Sequence, residues 1–159
     1  MLNQTLPQLD ELYKEIILDH YRSPYGRLPL EKTDYFAEGL NPLCGDEIKL
    51  GLQMNNNKID RIHIECHGCS ISVASGSMLA QVLEGKTIDQ AKKIAIYLKD
   101  MMHGIVTAEV EIGDLESLKE LKNFLYVLSV LCYHGQLLKK RLLGMSMLKF
   151  HSYFKINGG

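Results

Sequence analysis

The sequence lacks a strong excess of charge, a long hydrophobic run and a targeting signal. Its 18 basic and 19 acidic residues leave a formal net charge of −1, and no cationic run is long enough to form a nucleic-acid footprint. The longest apolar run, near FLYVLSVLC, is too short to span a bilayer. The N-terminal stretch MLNQTLPQLDELYKEI has neither a signal-peptide nor a transit-peptide pattern. These absences predict a cytoplasmic protein that binds neither nucleic acid nor membrane.

What is present is enough for one domain with reduced thiols. The chain has 159 residues, of which 46% are apolar, so it can bury a core without disulfide bonds. We expect a single domain over residues 1–159, with a flexible tail at about 150–159. Four cysteines in a chain without a secretory signal favour metal binding or sulfur chemistry over structural disulfides.

The periodicity of the apolar residues predicts a helix followed by a small antiparallel sheet. Apolar spacings of three and four predict a helix over about 7–21 that ends before Ser23-Pro24. Apolar and polar residues alternate with a period of two in DEIKLGLQM and in KIDRIHIEC. The turn cluster NNNK joins the two segments, which predicts a β-hairpin. In its second strand, Ile62, Ile64 and Cys66 share one face. An earlier strand is predicted near TDYFAEG.

The rest of the chain reads as helical. SISVASGSMLAQVLEG predicts a helix that ends at Gly85, and Thr87 with Gln90 forms a capping box that opens another. Asp114 is predicted as the N-cap of a last helical region, in which apolar spacing places Cys132 on the core-facing side. The predicted fold class is α+β, a small antiparallel three-stranded sheet with helices packed on one side.

Three of the cysteines and one carboxylate form a candidate metal site. On an extended segment, Cys44 and Asp46 would lie on the same face, with Gly45 allowing close approach or a bend between them. Cys69 sits at a strand-to-helix turn, where the helix dipole favours a thiolate. With Cys132, these side chains suffice for a tetrahedral Zn²⁺ site or for an iron–sulfur cluster. The hard carboxylate is the ligand most easily displaced.

Simpler interpretations compete with this site. Free cysteine is among the most buried residue types, so each thiol alone could be core packing. The CxxC spacing of Cys66 and Cys69, without a second such pair, is a weak zinc-ribbon signal, and no βαβ pattern surrounds it as a thioredoxin site requires. Asp46 alone could be an ordinary turn carboxylate.

Taken together, the motifs resemble one protein family. Three segments are similar to segments of the iron–sulfur cluster assembly proteins related to IscU and the N-terminal domain of NifU. They are LYKEIILDHYRSP, NPLCGDEIKL, and GCSISVASGSML followed by EGK. The resemblance covers roughly residues 9–100. Three features favour the SufU branch of this family. They are the long segment between Cys69 and Cys132, Leu131 in place of a histidine, and the lack of an LPPVK-type chaperone motif. That branch carries a Pro-x-Arg before its last ligand cysteine, where this chain has Val127 and Ser129.

The resemblance implies a ligand set. It makes Cys44, Asp46, Cys69 and Cys132 the metal ligands, and it leaves Cys66 as an extra thiol where relatives usually have glycine. A rival set, in which Cys66 replaces Asp46 to give four sulfur ligands, requires the end of the strand to turn.

The resemblance also implies a function. SufU-like proteins take sulfur from the persulfide of a SufS-type cysteine desulfurase, so we expect a zinc-dependent, sulfurtransferase-like acceptor that stimulates such an enzyme, with Cys44 as the acceptor. The alternative is a non-enzymatic scaffold of the IscU type, on which the same ligands hold iron or an iron–sulfur cluster that is built and transferred. A structural zinc domain used for protein contacts is a third possibility.

Overall fold

The computed structural model describes residues 8–40, 45–102, 104–105, 110–119 and 139–140. The described elements are α1 (Gln8–Arg22), β1 (Tyr35–Leu40), β2 (Glu47–Asn55), β3 (Lys58–His67), α2 (Ser70–Leu83), α3 (Ile88–Met102), a 3-10 helix (Gly113–Leu118) and β4 (Lys139–Lys140). Among these helices, none is both long and apolar enough to cross a membrane. The predicted tail at 150–159 lies outside the described residues.

The sheet is antiparallel, with the strand order β3-β2-β1-β4. Strands β1, β2 and β3 form the predicted three-stranded meander, so the predicted α+β class is confirmed. Asn56 and Asn57 form the hairpin turn with φ values of 48° and 61°, a left-handed conformation that asparagine tolerates better than most residues. The short β4 pairs with the outer edge of β1 and was not predicted.

The core lies between the hairpin and α2. Alternate residues of the hairpin face the helix and are at most 5% exposed: Ile48, Leu50, Leu52, Ile62, Ile64 and Cys66. The register pairs Ile48 with Cys66. At Gly76 of α2, a Cβ atom would lie 3.1 Å from the Cγ2 atom of Ile64, which is tighter than most Cβ contacts in proteins. Glycine at this position therefore brings the helix backbone close to the sheet.

The helix boundaries follow the predicted signals. Helix α1 ends at Arg22, directly before Ser23-Pro24, and Gly85 follows α2 with a left-handed φ of 77°. The capping box is formed in both directions: the Thr87 amide donates to Gln90 Oε1 at 2.9 Å, and the Gln90 amide donates to Thr87 Oγ1 at 3.2 Å.

The prediction for Asp114 was wrong. The residue at the N-cap of the 3-10 helix is Ile112, and Asp114 lies inside that helix. Its carboxylate oxygen Oδ2 lies 3.0 Å from Nε2 of His20 on α1. Leu118 is fully buried, as the predicted core stripe requires; the later positions of that stripe, including Cys132, lie outside the described residues.

Candidate metal centre

The site is built at the junction where β3 passes into α2. Cys69 is the N-cap residue of α2, and its carbonyl oxygen accepts a hydrogen bond from the Val73 amide at 3.1 Å. Its side chain makes no capping hydrogen bond, and the residue is exposed to solvent.

Asp46 reaches the same junction from the segment before β2. It is only 9% exposed. The Ser72 hydroxyl donates a short hydrogen bond to its Oδ2 atom. Cys69 Sγ lies 3.9 Å from Asp46 Oδ2 and 3.4 Å from Ser72 Oγ. We call Asp46, Cys69 and Ser72 the Asp46 cluster.

Two glycines shape the approach of the carboxylate. A Cβ atom on Gly68 would lie 2.6 Å from both Cγ and Oδ1 of Asp46, so the carboxylate occupies space that any other residue at this position would fill. Gly45 has a φ of 72°, a left-handed conformation that breaks the alternation of an extended strand. Cys44 lies outside the described residues, so the same-face relation of Cys44 and Asp46 stays a prediction.

Cys66 belongs to the core and not to the Asp46 cluster. Its side chain is 5% exposed and faces α2 from the inner side of β3. Burial raises the pKa of this thiol to about 11, and the negative charge of Asp46 adds to the rise. Strand β3 continues through His67, without the turn that the rival ligand set with Cys66 requires.

Two of the four predicted ligands can be placed. Asp46 and Cys69 are brought together, whereas Cys44 lies in 41–44 and Cys132 in 120–138, both outside the described residues. Within the parts of the chain that are described, no three His, Cys, Asp or Glu side chains gather in a way that could hold a metal ion. The complete ligand set therefore stays a prediction.

The two ligands that can be placed fit Zn²⁺. In a tetrahedral site with Zn–S of about 2.3 Å and Zn–O of about 2.0 Å, the two ligand atoms are roughly 3.5 Å apart. Cys69 Sγ and Asp46 Oδ2 are 3.9 Å apart, so a small adjustment would let them share one ion.

A second polar cluster on α2 has a different character. His20 Nδ1 lies 2.7 Å from Ser77 Oγ, and His20 Nε2 lies 3.0 Å from Asp114 Oδ2. Ser77 Oγ also accepts the Tyr25 amide at 2.8 Å. This serine–histidine–aspartate set, the His20 cluster, has the composition of a hydrolase triad, but Ser77 is 1% exposed and cannot meet a substrate. It instead joins α1, α2 and the 3-10 helix.

Comparison with known families agrees with the motifs. The profile of the family described as "NifU-like N terminal domain" matches residues 12–115. The chain belongs to this family. The NifU-like N-terminal domain seen here thus includes α1, the sheet hairpin, α2 and the Asp46 cluster.

Two relatives of this NifU-like domain carry names that differ in function. The zinc-dependent sulfurtransferase SufU of Bacillus subtilis is 35% identical over 117 residues, which cover 73% of this chain and 79% of the relative. The iron–sulfur cluster assembly scaffold protein IscU of Streptococcus pyogenes is 32% identical over 120 residues, 75% of each chain.

Solved structures share the fold. A crystal structure described as a SUF-system iron–sulfur cluster assembly scaffold from Fervidobacterium islandicum AW-1 has a TM-score of 0.68 and 28% identity, covering 77% of this chain and 96% of that one. The N-terminal part of a NifU-like protein from Brucella abortus has a TM-score of 0.63 at 20% identity, covering 80% of this chain and 94% of that one. The second likeness supports the fold alone.

Sequence reasoning missed Ser72, Gly68 and the His20 cluster. Ser72 carried a signal, because it follows the N-cap Cys69 by three residues and so lies about one helical turn further on. Gly68 carried none, since its importance depends on the carboxylate that packs against it. His20 and Asp114 are 94 residues apart in sequence, and no local pattern connects them.

Proposed function

We propose that this NifU-like domain is a cytoplasmic iron–sulfur cluster assembly protein that accepts sulfur from a SufS-type cysteine desulfurase and depends on Zn²⁺. The observation that carries the proposal is the Asp46 cluster, in which an exposed thiol and a buried carboxylate meet at ligand-like distance. The similarity to a protein named as a zinc-dependent sulfurtransferase supports the zinc and the sulfur transfer.

Four residues would hold the metal: Cys44, Asp46, Cys69 and Cys132. Bound there, Zn²⁺ would keep the thiolates deprotonated and the acceptor loop ordered. The chain contributes one hard ligand, the carboxylate, and three soft ligands, the thiolates. In a site dominated by thiolates, we expect the metal–carboxylate bond to be the weakest of the four. Asp46 is therefore the ligand that we expect to yield when a partner group enters.

Cys44 is the proposed sulfur acceptor. Its thiolate attacks the outer sulfur of the desulfurase persulfide, a new S–S bond forms on Cys44, and the bond to the desulfurase sulfur breaks. The desulfurase cysteine leaves as a thiolate, so atoms and electrons balance without an oxidant or reductant. In the motif CGD, Cys44 lies two residues before Asp46 in the sequence, the ligand that we expect to yield.

The scaffold function is the second candidate. A relative named as an iron–sulfur cluster assembly scaffold is 32% identical to this chain, and thiolates with one carboxylate suit iron as well as zinc. In that case the cluster is the cargo that the chain carries and hands on. The two functions differ in the metal found and in the effect on a desulfurase.

The decisive experiment combines elemental analysis of the protein, purified without added metal, with an assay of the cognate cysteine desulfurase. We expect one zinc per chain and a rise in desulfurase turnover that Cys44→Ser abolishes and Cys66→Ala preserves. Iron with acid-labile sulfide, and no stimulation, would establish the scaffold function instead. A Cys44→Ser variant that still stimulates and still becomes persulfidated would refute the assignment of the acceptor.

A third outcome would identify a structural zinc domain. In that case Asp46→Ala would lower the free energy of unfolding of the zinc-bound protein, and the wild-type chain would not stimulate the desulfurase. The proposed function predicts the opposite order of effects, with sulfur transfer lost before stability.

A further inference from the structure

We propose that Ser72 is a positioning residue of this centre: its hydroxyl holds the Asp46 carboxylate beside Cys69 and thereby sets how firmly the carboxylate binds the metal. This inference rests on the metal site of the proposed function. It concerns a residue that contributes no ligand atom and acts through Asp46.

The position of Ser72 follows from the helix geometry. Cys69 is the N-cap of α2, and Ser72 is the third helical residue, so the two side chains lie on neighbouring parts of the first turn. Ser72 is 2% exposed, and its hydroxyl donates to Asp46 Oδ2. A hydroxyl buried to this degree must form a hydrogen bond to offset the loss of water.

The contact distances show which partner takes the proton. A serine hydroxyl has one hydrogen to donate. Ser72 Oγ makes a short contact to Asp46 Oδ2 and a longer one, of 3.4 Å, to Cys69 Sγ. The Ser72 proton therefore goes to the carboxylate, and Cys69 Sγ lies 3.9 Å from the same oxygen atom.

The carboxylate is held from two sides. On the Oδ1 side, Gly68 leaves room for the carboxylate but no more, because a Cβ atom there would lie 2.6 Å from Oδ1. On the Oδ2 side, Ser72 provides the hydrogen bond. Gly68 limits where the carboxylate can move, and Ser72 supplies a directed attraction, so loss of the hydroxyl leaves only the steric limit.

Outer-shell partners of this kind usually have a measurable effect on affinity. Their removal typically lowers metal affinity or activity about 10–100-fold, because the ligand must then be ordered by the metal itself. We expect Ser72→Ala to weaken zinc binding by about this factor. Alanine is the best helix former, so the substitution should preserve α2.

The chain offers a matched control on the same helix. Ser75 is fully buried and donates to the Ile71 carbonyl oxygen at 2.7 Å, so Ser75→Ala removes an equivalent hydroxyl away from Asp46. Zinc affinity is measured by competition with a chromogenic chelator, and ligand geometry by the visible bands of the Co²⁺-substituted protein. Ser72→Ala should change both, and Ser75→Ala neither.

A double-mutant cycle tests whether Ser72 acts through Asp46. In an Asp46→Ala background, Ser72→Ala should change zinc affinity by less than about threefold, because the group that it positions is absent. An equal loss with and without Asp46 would overturn the inference. So would wild-type affinity and Co²⁺ bands in Ser72→Ala, or the same weakening in Ser75→Ala.

The outcomes separate this inference from the proposed function. The double-mutant cycle measures metal binding and needs no desulfurase. If Ser72→Ala weakens zinc binding as expected but the wild-type chain accepts no sulfur, only the sulfur-transfer function is overturned. A wild-type chain that binds neither Zn²⁺ nor Co²⁺ would overturn both.

Discussion

Cys66 and Cys69 are three residues apart and have opposite environments. Cys66 is 5% exposed and packs in the core, whereas Cys69 is exposed beside Asp46 and Ser72. Strand alternation turns the first thiol inward, and the change from strand to helix at Gly68 places the second at a helix N-terminus. A CxxC spacing therefore need not make a pair, because the two cysteines belong to different elements.

The largest expected effect is on zinc binding when the exposed thiol is removed. Cys69→Ser should weaken zinc binding by more than about 100-fold, since even outer-shell losses cost about 10–100-fold. The free energy of unfolding of the metal-free protein should stay the same or rise slightly, because serine is a good N-cap. Chelator competition and urea unfolding measure the two quantities.

Cys66→Ala is the control for that comparison. It should leave zinc affinity unchanged and lower the free energy of unfolding by about 1 kcal/mol through lost core packing. If Cys66→Ala abolished zinc binding, the rival ligand set with four sulfurs would be correct and the contrast between the thiols would fail.

Gly68→Ala should displace the Asp46 carboxylate from the metal site without removing any ligand. The added Cβ would displace the Asp46 carboxylate that lies 2.6 Å from its position, so we expect zinc affinity to fall roughly 10–100-fold. Gly85→Ala is the control: its left-handed φ of 77° makes alanine strained there, but no side chain of the site is near. Wild-type affinity in Gly68→Ala would show that the carboxylate is not a ligand.

A substitution in the His20 cluster, like Cys66→Ala, should lower stability without changing zinc affinity. His20→Ala removes the partner of the buried Ser77 hydroxyl, so the free energy of unfolding should fall by about 1–3 kcal/mol. Zinc affinity should remain unchanged, since this cluster contacts α2 away from its N-terminus. Urea unfolding of the metal-free protein measures the loss, and a fall in zinc affinity without loss of stability would contradict the assignment.

The smallest expected effect is a pH dependence that comes from Cys66. Its pKa is raised from the ordinary value of 9.0 to about 11 by burial, so the unfolded chain releases this proton at lower pH than the folded chain. The stability that burial of the neutral thiol contributes is complete below pH 9 and is lost as pH rises toward 11. The difference in unfolding free energy between wild type and Cys66→Ala, measured without metal, should shrink over this window; a constant difference would contradict it.

Much of the fold could be predicted because its signals are local. The end of α1 before Ser23-Pro24, the hairpin turn at Asn56 and Asn57, and the Thr87 capping box each depend on residues within a few positions of one another. The inward parity of Cys66 was predicted for the same reason. The prediction for Asp114 failed because the 3-10 helix begins one residue earlier, at Gly113, and the Asp114 carboxylate lies against a histidine 94 residues away.

The sequence alone determined the family, the order of the elements from α1 to α3 and which residues can supply metal ligands, because motifs, periodicity and donor chemistry are properties of the chain itself. Only the tertiary structure decided that Ser72 binds Asp46 and that Gly68 makes room for the carboxylate. The reason is physical: these relations are distances of a few ångströms between segments 20 or more residues apart in the chain, and packing alone brings such segments together.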